Sequence, residues 1–307
     1  MTNDGIAHKV SAAGTTDLGR VCEGRALGML ARPDGAALLV RCIVAATDDE
    51  ALAILDVATG RVTHLAAHPI RSFSLAWSPD GRAAAFFKLG DCPMPAPVCQ
   101  TRAVIADVAT GAEREILPSD YHLSTELRWE PDGLRMFQPE CGDAGCFPPE
   151  RVGTFRWDGA RFIKISDQRL IATDGVRFSV YEHVRSHTDP SDVRNVILRD
   201  GQTERNLTAV GPVEYAIDLL GDGHTLAWRE QYSGRVDGML REYDTAGQIL
   251  WDREAKLYPP LTTHIGDAVV SGILEGPSGM AAYVYDLRRV VRFIVPLPTT
   301  VFAAAKS

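Results

Sequence analysis

The six cysteines are the residues whose type and spacing promise chemistry most directly. They fall as three neighbouring pairs, Cys22 and Cys42, Cys92 and Cys99, Cys141 and Cys146, with none left over. Even, local pairing reads as three disulfides in an oxidising compartment, so the sequence points to a periplasmic or secreted protein. A loop the size of Cys92–Cys99 contributes roughly 2–3 kcal/mol in the chain-entropy picture. The rival is one Zn2+ on Cys92, Cys99, Cys141 and Cys146. Its spacings, with six and four residues between cysteines, are wider than the Cys-x2-Cys knuckles such sites favour. The opening "MTNDGIAHKV" has one lysine and no apolar core, so the expectation is a mature chain whose signal peptide has been removed.

Other chemistry is sparse. His183 and His187, with Asp189 and Asp192, stand in "EHVRSHTDPSD", where His-x3-His and carboxylates are metal-ligand types. The proline and polar neighbours fit a solvated loop better. Gly-x-Ser-x-Gly, His-Glu-x-x-His, a phosphate-binding glycine loop and Cys-x-x-Cys are all absent from the sequence. Gly-Pro-Ser-Gly at 276–279 reads as a turn, and no cofactor is implied. The net charge of −8, from 32 basic and 40 acidic residues, is spread along the chain. Nucleic-acid binding needs a clustered basic footprint, so that class is set aside. Apolar runs are interrupted by residues such as Arg41 and Lys88, so no membrane span is expected.

The elements that must position these residues come from a repeat. "MLARPDGAALLV", "LAWSPDGRAAAFF" and "LRWEPDGLRMFQ" are each an apolar stretch, a Pro-Asp-Gly turn and a second apolar stretch. Asp-Gly turns at Asp34, Asp80, Asp132, Asp174 and Asp222 step by 46, 52, 42 and 48 residues, and a reversed Gly266-Asp267 follows. A second register, "LDVATGRV" and "ADVATGAE", supplies another turn per repeat. Each unit is then four short strands in about 45 residues, the size of one propeller blade. The sequence thus predicts an all-β, six-bladed β-propeller with four antiparallel strands per blade, the blades beginning near 24, 71, 124, 170, 212 and 256. Residues 1–23 form an N-terminal segment that pairs with the ring, 24–298 the propeller, and 299–307 a tail. Closure is expected to use 290–298 as the outer strand of the sixth blade, joined by residues near "HKVSAAG". Trp77, Trp129 and Trp228 are read as blade-packing residues.

"TERNLTAVGPVEYAIDLLGDGHTLAWRE" and "SFSLAWSPDGRAAAFF" resemble the repeat of TolB-type six-bladed propellers over nearly the whole chain. The true WD-repeat pattern fits less well, because Trp157-Asp158 and Trp251-Asp252 lack the Gly-His partner. The TolB resemblance implies the fold firmly and function loosely, since relatives include periplasmic docking proteins and gating domains of prolyl peptidases. Some six-bladed propellers are hydrolases that hold Ca2+ in the channel with Glu, Asp and Asn oxygens. This chain has three asparagines, and Asn206 lies in the Leu-Thr repeat.

In this register the cysteine-bearing loops share one rim of the ring, a rim richer in acids than bases. The reading is therefore an extracytoplasmic, monomeric docking module that meets a protein or peptide there, with Asp91, Asp143 and Asp189 as binding residues. The alternative is a hydrolase or lyase whose site lies in the central channel, using the inner-strand carboxylates Glu126, Glu214 and Asp218.

Overall fold

The computed structural model describes residues 5–11, 14–44, 50–67, 75–89, 101–117, 126–142, 145–183, 195–208, 214–230, 237–257, 262–265, 268–274, 280–287 and 292–297. Asp91, Asp189, Asp143, Cys92, Cys99, His187 and Asp192 lie outside them, as does the Gly266-Asp267 pair.

Both repeated turns form as local chemistry dictates. In the Pro-Asp-Gly turns, Asp34 and Asp80 Oδ1 accept from the backbone N–H two residues on, at 2.9 and 3.0 Å. Gly35 and Gly81 then take φ of 70° and 68°, which only glycine adopts without strain. In the second register, Asp56 Oδ1 accepts from Ala58 N, Thr59 N and Thr59 Oγ1. Asp107 repeats this with Ala109 and Thr110. These short turns reverse the chain every few residues, so each strand pairs with the next one in sequence.

A hairpin comes first, β1 (Ile6–Ser11) with β2 (Gly14–Arg20). The first four-stranded sheet holds β3 (Ala26–Ala31), β4 (Ala37–Ile43), β5 (Glu50–Asp56) and β6 (Val62–Ala67). The second holds β7 (Leu75–Trp77), β8 (Ala83–Leu89), β9 (Thr101–Asp107) and β10 (Glu113–Leu117). In the third, β11 (Glu126–Glu130) and β12 (Gly133–Gln138) precede a small pair, β13 (Cys141–Gly142) and β14 (Gly145–Cys146). The sheet resumes with β15 (Gly153–Trp157) and β16 (Phe162–Ser166). The fourth comprises β17 (Arg169–Thr173), β18 (Phe178–His183), β19 (Asn195–Asp200) and β20 (Thr203–Asn206). The fifth comprises β21 (Glu214–Leu219), β22 (Thr225–Glu230), β23 (Asp237–Tyr243) and β24 (Ile249–Lys256). The sixth comprises β25 (Thr262–Ile265), β26 (Ala268–Leu274), β27 (Met280–Asp286) and β28 (Arg292–Leu297).

All pairings are antiparallel, and each four-stranded sheet is built from strands in sequence order. First strands of successive sheets pack side by side, β3 against β7, β7 against β11, β17 against β21 and β21 against β25. Apolar seams join the first sheet to the second through Leu39, Leu52, Trp77 and Phe86, and the second to the third through Phe87, Leu127, Met136 and Phe155. The fourth joins the fifth through Val180, Leu198, Ala216 and Tyr243, and the fifth the sixth through Trp228, Leu240, Val269 and Tyr283. Trp77 and Trp228 are buried, and Trp129 packs half-buried against the second seam.

Among the described residues the N-terminal hairpin pairs with itself, and no pairing joins it to the sixth sheet's outer strand. A partner two residues away costs far less loop-closure entropy than one at the far end of the chain. Its Ala7 and Val21 cover Val40, Ala53 and Leu55 of the first sheet, and a Cys22–Cys42 disulfide fastens it there. Gly5 makes the close approach possible: a Cβ there would stand 2.3 Å from the Cys22 carbonyl oxygen. Cys146 is also disulfide-bonded, and Cys141 stands directly across from it in the β13–β14 pair.

Candidate functional site

Charge on the first strands is confined to the third to sixth four-stranded sheets. β3 (ALGMLA) and β7 (LAW) carry none, whereas β11, β17, β21 and β25 carry Glu126, Arg128, Glu130, Arg169, Glu214, Asp218 and His264. This is the inner-strand position where the sequence placed Glu126, Glu214 and Asp218.

Those three carboxylates do not meet at one point; each is engaged by a different neighbour. Glu126 receives a two-pronged contact from Arg169 across the third and fourth sheets, at 2.9 and 3.1 Å. Arg169 Nη1 also donates to Glu182 at 3.1 Å. Glu182 is 1% exposed, and its other oxygen accepts from the Ala216 backbone N–H at 2.9 Å, reaching the fifth sheet. Burial pulls the Arg169 pKa down, but Glu126 and Glu182 outweigh it, so the net shift is upward and the guanidinium stays charged. One arginine thus ties three successive sheets.

Glu214 is buried beneath the fifth sheet and accepts from the Tyr243 hydroxyl at 2.7 Å, with Arg241 at 3.9 Å. Burial raises the Glu214 pKa against the lowering pull of Tyr243 and Arg241. Burial and the carboxylate push Tyr243 up to about 12. Asp218 Oδ2 lies 2.7 Å from His264 Nδ1, linking the fifth and sixth sheets, and His264 Nε2 is buried without a hydrogen-bond partner among the described residues. That arrangement places the imidazole proton on Nδ1.

Sequence reasoning missed Arg169, Glu182, His264 and Glu130. Glu130 carried a signal, because it replaces the Ser78 of the better-preserved Ser-Pro-Asp-Gly repeat. Ser78 Oγ closes its own turn, donating to Asp80 and accepting from Ala83 N. The longer glutamate instead reaches the Thr173 backbone N–H on the next sheet. Burial raises its pKa, and the nearby Asp218 charge adds to that, while Arg128 and Arg135 oppose it. Arg169 begins its strand one residue before the expected blade boundary. Glu182 and His264 have no repeat position that marks them.

No family model and no curated protein matches this chain. Solved structures do. A puromycin-hydrolyzing peptidase from Mycobacterium tuberculosis superposes with TM-score 0.62 at 16% identity, over 98% of this chain and 51% of that one. The β-propeller domain of the Trilobed protease from Pyrococcus furiosus, reported to have an open velcro topology, gives TM-score 0.56 at 12% identity, over 95% of this chain and 88% of that one. TolB from Acinetobacter baumannii aligns over 96% of this chain and 60% of its own, with 14% identity and TM-score 0.47. This chain spans less than two thirds of TolB and of the peptidase. The fold is a β-propeller. The expectation of a propeller from the TolB-type repeat is supported at the level of the β-propeller fold.

Proposed function

We propose that the chain forms a six-bladed ring and acts outside the cytoplasm as a monomeric docking module for a protein or peptide. The observation that carries this reading is the engagement of Glu126, Glu214 and Asp218. Each is matched by a neighbour at hydrogen-bond distance and ties strands or sheets together, as architectural charges do. The Cys22–Cys42 disulfide supports the extracytoplasmic setting. The partner meets the rim that carries the cysteine loops, where Asp91, Asp143 and Asp189 offer an acidic surface to a basic peptide or protein face.

The test opposes two sets of variants in binding titrations with a partner recovered by crosslinking. Charge reversal at Asp91, Asp143 and Asp189 should weaken binding, more so at low salt than at high. Glu126→Gln, Glu214→Gln and Asp218→Asn together should leave affinity per folded molecule unchanged. The opposite pattern would move the interaction into the channel.

A hydrolase or lyase with a channel site is the second reading, favoured by the raised pKa of the buried Glu130 and Glu214, since displaced carboxylate pKa values gather at catalytic sites. Stoichiometric Ca2+ binding with ester or lactone hydrolysis, lost in Glu126→Ala or Glu214→Ala, would establish it in place of docking.

A further inference from the structure

The face of the third sheet that looks toward the fourth carries a row of arginines. Arg128 on β11 is the direct cross-strand partner of Arg135 on β12, and Arg135 is in turn the partner of Arg156 on β15. Direct partners share a face of the sheet, and like charges placed opposite one another destabilise the pairing. Three consecutive arginines in register are therefore a cost that strand pairing alone does not explain.

Local counter-charge is incomplete. Arg135 is 9% exposed and bonds Asp132 through Nη2, yet its buried Nε has no partner among the described residues. Arg128, 43% exposed, has only a loose contact from Nε to Glu130 at 3.4 Å. Arg156 is exposed, and among the described residues no carboxylate lies within ion-pairing distance of it. Arg128 and Arg135 line a narrow, open cleft between the two sheets together with Glu126, Glu130, Thr154, Phe137 and Leu170, so the space for a ligand lies at its open side, toward Arg128 and the exposed Arg156. An arginine fork is the side chain best shaped for two-pronged contact with an oxyanion.

We propose that Arg128, Arg135 and Arg156 form a binding site for a small ligand bearing two or more oxyanionic groups set about 5 Å apart, the spacing of neighbouring strands. A di- or tricarboxylate and a diphosphate share that chemistry. The ligand relieves the repulsion along the row and supplies the acceptors the guanidiniums lack. This site is separate from the acidic rim and takes ligand of the opposite charge.

Titration calorimetry at low ionic strength, with citrate and with inorganic pyrophosphate, tests it. The expected result is saturable one-to-one binding of at least one of them. Acetate, with a single carboxylate, should bind at least tenfold more weakly. The tighter of the two polyanions identifies the source of the oxyanion. Arg156→Gln should weaken binding several-fold and Arg128→Gln/Arg156→Gln at least tenfold, while Arg82→Gln, an 86% exposed arginine in the turn between β7 and β8, should change nothing. The ligand-free thermal midpoint of Arg156→Gln should stay level or rise, because a repulsion has been removed, whereas Arg128→Gln also takes a counter-charge from the buried Glu130 and should fall slightly. Failure of both anions to saturate, unchanged affinity in the double variant, or equal weakening by Arg82→Gln would overturn the proposal.

Discussion

The two faces of the third sheet solve the same problem in opposite ways. Leu127, Leu134, Met136 and Phe155 face the second sheet and make a dry seam. Glu126, Arg128, Glu130 and Arg135, the alternate residues of the same two inner strands, face the fourth sheet. Strands buried on both faces ordinarily read as continuous apolar runs. Here the period of two divides the strands instead, and the seam between the third and fourth sheets rests on ion pairs. The difference lies in specificity more than in strength. An apolar seam accepts any residue of similar volume, whereas a desolvated ion network is stable only when every member is matched.

The largest expected effect belongs to the dry face. Phe155→Ala should lower unfolding free energy by about 3–5 kcal/mol, the usual range for deleting a buried ring. The loss should be the same at low and high salt, as read from urea midpoints. A strong salt dependence would mean that the two faces are not energetically separate.

Slightly smaller, and different in kind, is Arg169→Met. It leaves Glu182, 1% exposed, without its charge partner, and breaking such a pair on one side costs about 3 kcal/mol, the lower end for a buried pair because Arg169 is 26% exposed. Adding Glu126→Gln and Glu182→Gln should recover most of that, because the amide oxygen introduced by Glu182→Gln can still accept the Ala216 N–H. A triple variant as unstable as Arg169→Met alone would show that the arginine acts through its packing and not its charge.

The hairpin on the first sheet is the third case, an apolar face sealed by a covalent tie. Cys22 and Cys42 are 20 residues apart, and a loop of that size contributes roughly 3 kcal/mol. Cys22→Ala/Cys42→Ala should lose about this much and expose the hairpin, but not the sheets, to early hydrogen exchange. Peptide mapping without reductant should also find Cys141 linked to Cys146 and Cys92 to Cys99.

What was legible in the sequence follows from which forces are local. The Pro-Asp-Gly and Asp-x-x-x-Gly turns hold their own backbone through one aspartate, so Asp34, Asp56, Asp80 and Asp107 announce the strands on either side. Sheet order then follows from chain order. The Cys22–Cys42 pair was legible because cysteines near in sequence and in register need no long-range information. Glu126, Glu214 and Asp218 were recognised as inner-strand acids, but the partners of Glu126 and Asp218 were not, because Arg169 and His264 come from other repeats. Ion pairs between repeats are set by the stacking of sheets, and no spacing within one repeat encodes it. Glu130 lay between these cases, visible as a departure from Ser78 but interpretable only with Thr173 beside it.

Glu130 gives the smallest effect and the sharpest probe of the polar seam. Burial raises its folded-state pKa above the usual 4.5, so over the interval between those values the folded protein holds a proton that the unfolded chain has released. Stability contributed by that group is complete below the unfolded value and declines as pH rises through the folded one. The turn aspartates run the other way, since hydrogen bonds to Thr59 and Thr110 lower the pKa of Asp56 and Asp107, whose contribution is lost as pH falls. Glu130→Gln keeps an acceptor for the Thr173 N–H and removes the titration. Relative to wild type it should therefore gain stability as pH is raised from 4 to 7, by an amount within about 1 kcal/mol, the scale of a mild substitution. The acid-side loss from the turns should be common to both proteins. Parallel stability curves across that range would mean that Glu130 ionises alike folded and unfolded, and that the seam between the third and fourth sheets is as wet as the surface.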